Sequence, residues 1–149
     1  GYREMPYVFA GSAASAAGGL GLLATAPGAT DPARRLAVLG AGVDLVAKRR
    51  LIKRLDTPGP ASLSEPYETG RAGAVLRVGE ALTAGGLAGA LLGRRSRALS
   101  ALSGAALLAA SALTRFGIFE AGRVSARDPK YTVVPQRERL AEKRSTTQL

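Results

Sequence analysis

The 149-residue sequence contains no cysteine, no histidine and no tryptophan. Without thiols and imidazoles, the chain lacks the usual ligands for haem, for iron–sulfur clusters and for thiolate zinc sites. A disulfide and a nucleophile activated by histidine are excluded for the same reason. We therefore expect no catalytic centre and no metal site in this chain, and any redox role depends on cofactors that partner subunits hold.

Charged residues are missing from two long stretches. Neither Met5–Thr30 nor Ala98–Thr114 contains Asp, Glu, Lys or Arg. Both stretches are rich in Ala, Gly and Leu, and both have few of the β-branched residues that favour strands. Because a helix of about 20 mainly apolar residues crosses a bilayer core, the two stretches indicate membrane helices.

The whole pattern predicts an all-α integral membrane fold. Four antiparallel transmembrane helices form a bundle over residues 1–126, and residues 127–149 form a polar C-terminal tail. The spans are expected at about 7–26, 33–52, 72–92 and 98–121. Pro6 and Pro27-Gly28 bound the first span, and Asp31-Pro32 is a typical start for the second.

The second span has too few apolar residues to cross alone. Arg34 and Arg35 lie near its start, and Lys48 to Arg50 lie near its end. We expect these basic side chains to snorkel to the two membrane surfaces and so lengthen the span. Residues 56–71, with three prolines, predict an ordered polar loop, and residues 93–97 predict a tight basic turn.

Small residues recur at spacings that allow close helix packing. Gly11, Ser15 and Gly19 fall four residues apart in the first span, and Gly85 and Gly89 form a GxxxG pair in the third. In lipid, such residues let helix backbones approach one another. An Ala- and Gly-rich sequence also produces this spacing by chance.

The formal net charge is +10 and the sequence pI is near 11.0. Fourteen of the 21 Lys and Arg residues fall on the side that holds both chain ends, and five fall on the other. The positive-inside rule then predicts a multi-pass protein of the plasma membrane with both ends in the cytoplasm. Four aromatic residues are interpreted as interfacial belt residues: Tyr7, Phe9, Phe116 and Phe119.

A high pI also suggests nucleic-acid binding. Here, however, the basic residues cluster at the ends of apolar segments, few aromatic residues are present for base stacking, and no nucleic-acid-binding signature occurs. Contact with anionic lipid and membrane orientation account for the same charge. We expect a lipid bilayer as the environment and no nucleic-acid partner.

Five ionisable residues fall within or near the predicted spans, and they are the candidates for proton transfer or for a polar cavity: Asp44, Arg77, Glu80, Arg115 and Glu120. Arg77 and Glu80 can pair at i,i+3, and Asp44 can pair with Lys48 at i,i+4. Glu80 and Asp44 either move protons or form ion pairs that fix helix register. Arg115 and Glu120 favour interfacial anchoring.

Several stretches resemble the NrfD-type family, the membrane subunit of polysulfide-reductase-like molybdoenzyme complexes. The stretches are MPYVFAGSAA (5–14), PY (66–67) with GRAG (70–73), SALTRFGIFEAG (111–122) and DPKYTVVPQRER (128–139). The last of these is similar to actinobacterial members. The resemblance covers most of the chain, which would correspond to the C-terminal half of such a subunit.

This resemblance implies a membrane anchor without a prosthetic group of its own. Family members exchange electrons between membrane quinone, here expected to be menaquinone, and an iron–sulfur subunit that serves a molybdopterin catalytic subunit. In the family the quinone pocket is formed mainly by the N-terminal bundle, so no residue here is assigned a quinone contact. The expected partners are those two subunits and the N-terminal remainder of the same protein, since the sequence begins without Met and without a signal peptide.

A second interpretation from the residues is a transporter-like or structural membrane module. In that case Asp44 and Glu80 serve proton or substrate passage without redox partners. Copurification with iron–sulfur and molybdenum subunits separates the two interpretations.

Overall fold

The structure, a computed structural model, describes residues 3–26, 29–55 and 70–127. Over these ranges it is helical and contains no strand, which confirms the all-α prediction. The predicted stop at Pro27-Gly28, the polar loop up to residue 69 and the tail from residue 128 lie outside the described residues. The helices are α1 (Met5–Ala24), α2 (Asp31–Leu55), α3 (Gly70–Leu92) and α4 (Arg97–Arg127), with a 3₁₀ turn at Gly93–Arg95 between the last two.

The helix ends follow from local sequence. Pro6 lies in the first turn of α1, where its missing N–H costs nothing. The Ser96 hydroxyl caps α4 by accepting a hydrogen bond from Leu99 N at 3.2 Å. α4 continues to Arg127, beyond the predicted end at 121, because no proline interrupts it before residue 129.

Neighbouring helices run antiparallel. Arg54 near the end of α2 forms an ion pair with Glu4 before α1, with Nε and Oε1 2.8 Å apart. α3 packs chiefly against α4, and contact between α1 and α4 joins the two helix pairs. The ends of α1 and α4 that hold Glu4 and Glu120 therefore lie at the same end of the bundle as the C-terminus of α2.

Three helices in the described part of the chain are long and apolar enough to cross a membrane. They are Met5–Ala24, Gly70–Arg95 and Arg97–Val124. α2 does not meet the same standard, because nine of its 25 residues are charged. The structure therefore supports a multi-pass membrane protein and gives three spans by composition.

The snorkelling prediction is wrong for two of the basic residues in α2. Arg34 and Lys48 are buried inside the bundle, whereas Arg35, Arg49 and Arg50 are exposed. Arg34 and Lys48 lie on the inward face of the helix, where polar groups of α3 and α4 accept their hydrogen bonds. Those bonds hold the two side chains inside the bundle, Arg34 near one end of it, and they do not extend outward from α2.

The interior is built from small and polar residues, and the surface carries the large apolar ones. The largest fully buried side chains are Leu22, Leu107, Val8, Thr83, Thr114, Asp44 and Ser12. By contrast, Leu39, Leu92, Leu102, Phe116 and Phe119 are each more than 60% exposed. A water-soluble domain has the opposite distribution, so this surface suits a lipid environment.

Glycine brings the helix backbones together. A Cβ built on Gly11 would lie 2.6 Å from the backbone N of Asp44, and one on Gly40 would collide with the backbone N of Ser15. Gly19 faces Gly104 of α4. The predicted packing role of the four-residue spacing in α1 is thus confirmed for Gly11 and Gly19, and Ser15 is also buried.

The packing role predicted for the GxxxG pair in α3 is confirmed for Gly89 and wrong for Gly85. Gly85 has no neighbour within 4 Å, whereas Gly86 lies against Leu107 and Gly89 against Ser103. Four residues of an α-helix make slightly more than one full turn. The residues on one buried face are therefore spaced alternately three and four positions apart. The face of α3 that packs on α4 follows Gly79, Thr83, Gly86 and Ala90.

At the other end of the bundle, arginine side chains donate hydrogen bonds to carbonyl groups near the ends of two helices. Arg97 of α4 donates to the carbonyl oxygens of Leu22 and Leu23, in the last turn of α1. Arg34 of α2 donates to the carbonyl of Ala90, near the end of α3. Because the last four carbonyls of a helix have no partner within it, these contacts supply donors that the helices themselves lack.

We expect Gly40→Ala to destabilise the bundle and Gly42→Ala, two residues further along α2, to leave it intact. The methyl group at position 40 would overlap the α1 backbone. Such overpacking lowers the free energy of unfolding by about 1–3 kcal/mol. At position 42 the methyl group meets nothing within 4 Å. Thermal unfolding in detergent measures both, and equal midpoints for the two variants would contradict the packing.

Candidate functional site

A buried ion pair joins two residues of α2 inside the bundle. Lys48 Nζ lies 2.7 Å from Asp44 Oδ2 and donates a second hydrogen bond to Thr114 Oγ1 of α4, also at 2.7 Å. The side chains of Lys48 and Asp44 are only 10% and 2% exposed. The i,i+4 pairing predicted for them is confirmed. Burial of an ion pair is expensive, so this position is the strongest candidate for function.

Asp44 is enclosed by α1 and α3. Gly11 of α1 lies directly against its backbone, and Thr83 of α3 lies close to its carboxylate. The Thr83 hydroxyl donates to Gly79 O at 2.9 Å and also lies within reach of the Asp44 carboxylate, whose Oδ1 accepts no hydrogen bond of good geometry from the described residues. One oxygen of the carboxylate is therefore compensated by Lys48, and the other has Thr83 as its nearest polar neighbour.

Glu80 of α3 lies on the same side of the bundle and nearer to the surface. Its side chain is 38% exposed, and Oε1 is 3.9 Å from Arg49 Nε of α2. A cavity of about 30 Å³ has both Lys48 and Glu80 in its wall, with Leu51, Ile52, Leu76 and Ile118. Since a water molecule needs about 10–15 Å³ of such space, the cavity has room for one or two waters, and apart from Lys48 and Glu80 its wall is apolar.

The structure does not gather all five predicted residues in one site. It brings together Asp44 and Glu80, with Lys48 between them. Arg115 lies on another face of α4 and donates to Ser111 Oγ at 2.5 Å, while Ser111 accepts a further hydrogen bond from Ser12 at 2.9 Å. This second polar contact joins α4 to α1.

Glu120 and Arg77 take peripheral positions. Glu120 forms an exposed i,i+3 ion pair with Arg123 at 3.2 Å near the end of α4, which agrees with interfacial anchoring. Arg77 is exposed on α3. Its pairing with Glu80 stays a prediction, because the ion pair described for Glu80 runs to Arg49.

Sequence reasoning missed the groups that complete the site. From the sequence alone, Thr114 and Thr83 are ordinary residues of apolar spans, and Arg34 is expected to lie at a membrane surface. One signal was available: Thr114 and Thr83 occur in spans that otherwise contain Ala, Gly and Leu. Hydroxyl residues in such spans commonly hydrogen-bond within their own helix or to a neighbour.

The four predicted belt aromatics are all exposed: Tyr7, Phe9, Phe116 and Phe119. They lie near the start of α1 and towards the end of α4, which is the same end of the bundle. The four aromatic side chains therefore lie on α1 and α4 at the end of the bundle that carries Glu4 and Arg54, which agrees with an interfacial position.

No family model, no curated protein and no solved structure matches the chain. The resemblance to the NrfD-type family therefore depends on the sequence stretches alone. Among the residues that the structure describes, no group of three or more acidic side chains is placed to hold a metal ion.

We expect Asp44→Asn and Lys48→Met each to destabilise the protein, and the double variant to recover part of the loss. Removing one partner leaves a buried polar group uncompensated, which costs about 3–5 kcal/mol, whereas removing both leaves no charge to compensate. Thermal unfolding in detergent measures the three variants. Glu120→Gln, which breaks an exposed pair worth about 0–1 kcal/mol, is the control. A double variant that is as unstable as the sum of the singles would contradict the pairing.

Proposed function

We propose that this chain is a membrane-embedded bundle of four antiparallel spans whose polar core exchanges protons. The observation that carries the proposal is the buried contact of Lys48 with Asp44 and Thr114, inside helices that present apolar side chains outward. A pair of ionisable groups in a bundle interior is costly, and in membranes such groups commonly mark proton or ion pathways.

α2 is able to cross the bilayer despite its low mean hydropathy. Its buried charged groups, Arg34 near the start and Asp44 and Lys48 further along, face inward and are compensated there. The outward face between them carries Leu36, Leu39, Val43 and Val46, all exposed. The distance along the helix between the exposed Arg35 and Arg49 is about 21 Å, and these two side chains reach outward along the helix toward the two surfaces of a hydrocarbon layer about 30 Å thick.

The route for a proton begins at Glu80. Its partly exposed carboxylate takes a proton from the aqueous side and passes it to water in the 30 Å³ cavity. Lys48 borders that cavity and contacts Asp44, so it hands a proton to the carboxylate and is reprotonated from the water. Asp44 Oδ2, which lies 2.7 Å from Lys48 Nζ, is the acceptor inside the bundle.

We expect Glu80→Gln to slow proton exchange by about 100-fold, the lower range for removal of a positioned proton-transfer group. Full-length protein in proteoliposomes that contain a pH-sensitive dye gives the rate. Glu120→Gln removes the same charge at an exposed ion pair and is expected to behave as wild type. Rates that are unchanged by Glu80→Gln at every pH would leave the polar core with a structural role only.

A second proposal concerns the complex in which the bundle works. The resemblance to the NrfD-type family supports a C-terminal membrane-anchor part of a respiratory molybdoenzyme complex, which exchanges electrons between menaquinone and an iron–sulfur subunit. Two of the resembling stretches, 5–14 and 111–122, pack on one another through the Ser12–Ser111 hydrogen bond. In such a complex the chain lies in the plasma membrane, with both ends in the cytoplasm. Its proton exchange accompanies electron transfer that takes place in other parts of the complex.

We expect iron and molybdenum to copurify with the full-length protein when it is extracted from its native membrane in mild detergent. Elemental analysis of the purified complex measures both metals, and peptide sequencing identifies the subunits that bring them. A protein that purifies without either metal but still exchanges protons in vesicles would contradict the redox assignment and leave the first proposal standing.

A further inference from the structure

A groove of about 750 Å³ lies along α1 and α2, away from the buried ion pair. At one end its wall carries Arg3, Arg50 and Arg54, and Tyr7 lies beside them. Further along, the wall is the apolar outer face of α2, with Leu39, Val43 and Val46. We call this feature the basic groove.

The charged end of the basic groove is positive overall. Three guanidinium groups line it and one carboxylate, that of Glu4, opposes them. The Glu4 carboxylate is already engaged, because Oε1 lies 2.8 Å from Arg54 Nε. Arg3 and Arg50 are exposed and remain in excess over the acidic charge, so the end of the groove favours an anion.

The apolar part of the groove has the length and direction of a lipid tail. From Arg50 to Leu39 the helix rises about 16 Å, roughly half of a bilayer core. Leu39, Val43 and Val46 are between 45% and 67% exposed along this distance. The groove therefore places a positive end at a membrane surface and an apolar wall that runs towards the middle of the bilayer.

We propose that the basic groove binds one anionic phospholipid, with its phosphate against Arg3 and Arg50 and an acyl chain along the outer face of α2. The proposal rests on the membrane placement proposed above and not on proton exchange. Charge complementarity selects the headgroup, and the apolar wall selects a molecule with a tail over free phosphate. Tyr7, which is 63% exposed, lies at headgroup level.

Native mass spectrometry of the full-length protein in detergent tests the headgroup contact, with dioleoyl phosphatidylglycerol or dioleoyl phosphatidylcholine added. We expect one retained phosphatidylglycerol and about fivefold weaker retention after Arg50→Gln, the effect of one arginine near a lipid surface. Lys53→Gln removes the same charge from the same helix end but not from the groove, and is expected to retain lipid as wild type. Equal losses in the two variants, or equal retention of the two lipids, would overturn the proposal.

A second pair of variants tests the tail contact. Val46→Trp fills the groove, whereas Val78→Trp adds the same ring at a position on α3 with nearly the same exposure, 53% against 52%. We expect only the first to reduce lipid retention, with proton exchange in vesicles unchanged by either. Displacement of the lipid by glycerol 1-phosphate, or a protein dimer in place of the lipid-bound species, would overturn the assignment.

Discussion

The backbones of α1 and α2 touch at Gly11, Gly18 and Gly40, and the position of Asp44 depends on this contact. A side chain at any of the three glycines would collide with the backbone of the other helix and push the two helices apart. Because the helices stay in contact, Asp44 is closed off on the α1 side, and the polar partners described for it come from its own helix and from α3. The burial of the Asp44–Lys48 ion pair thus depends on glycines, which have no side chain.

Most of the fold was predictable, because helix formation in lipid depends on local composition. Uncharged runs, prolines and basic turns indicate where spans begin and end, and the four helices in the described residues fall within a few positions of the predicted ones, apart from the extended end of α4. Which face of a helix packs is harder to predict, since it depends on the partner. Gly85 and Gly86 are indistinguishable in sequence, and only the position of Leu107 on α4 makes one of them buried.

The candidate site was predictable only where its parts are close in sequence. Asp44 and Lys48 are one helical turn apart, so their pairing could be inferred. Thr114 approaches Lys48 from another helix, 66 positions away, and nothing local indicates it. Arg34 was misplaced for a similar reason: charge and position suggested a surface residue, but the carbonyl of Ala90 needs a donor that only the assembled bundle reveals.

The bond from Arg97 to the last turn of α1 has a consequence for how the protein is made. The carbonyls of Leu22 and Leu23 receive their donor from a residue more than 70 positions later in the chain. Because the chain is made from its N-terminus, the end of α1 is synthesised before that donor exists, and its last carbonyls depend on other donors in the meantime. The end of α1 becomes complete only after α4 has been made and has packed against it.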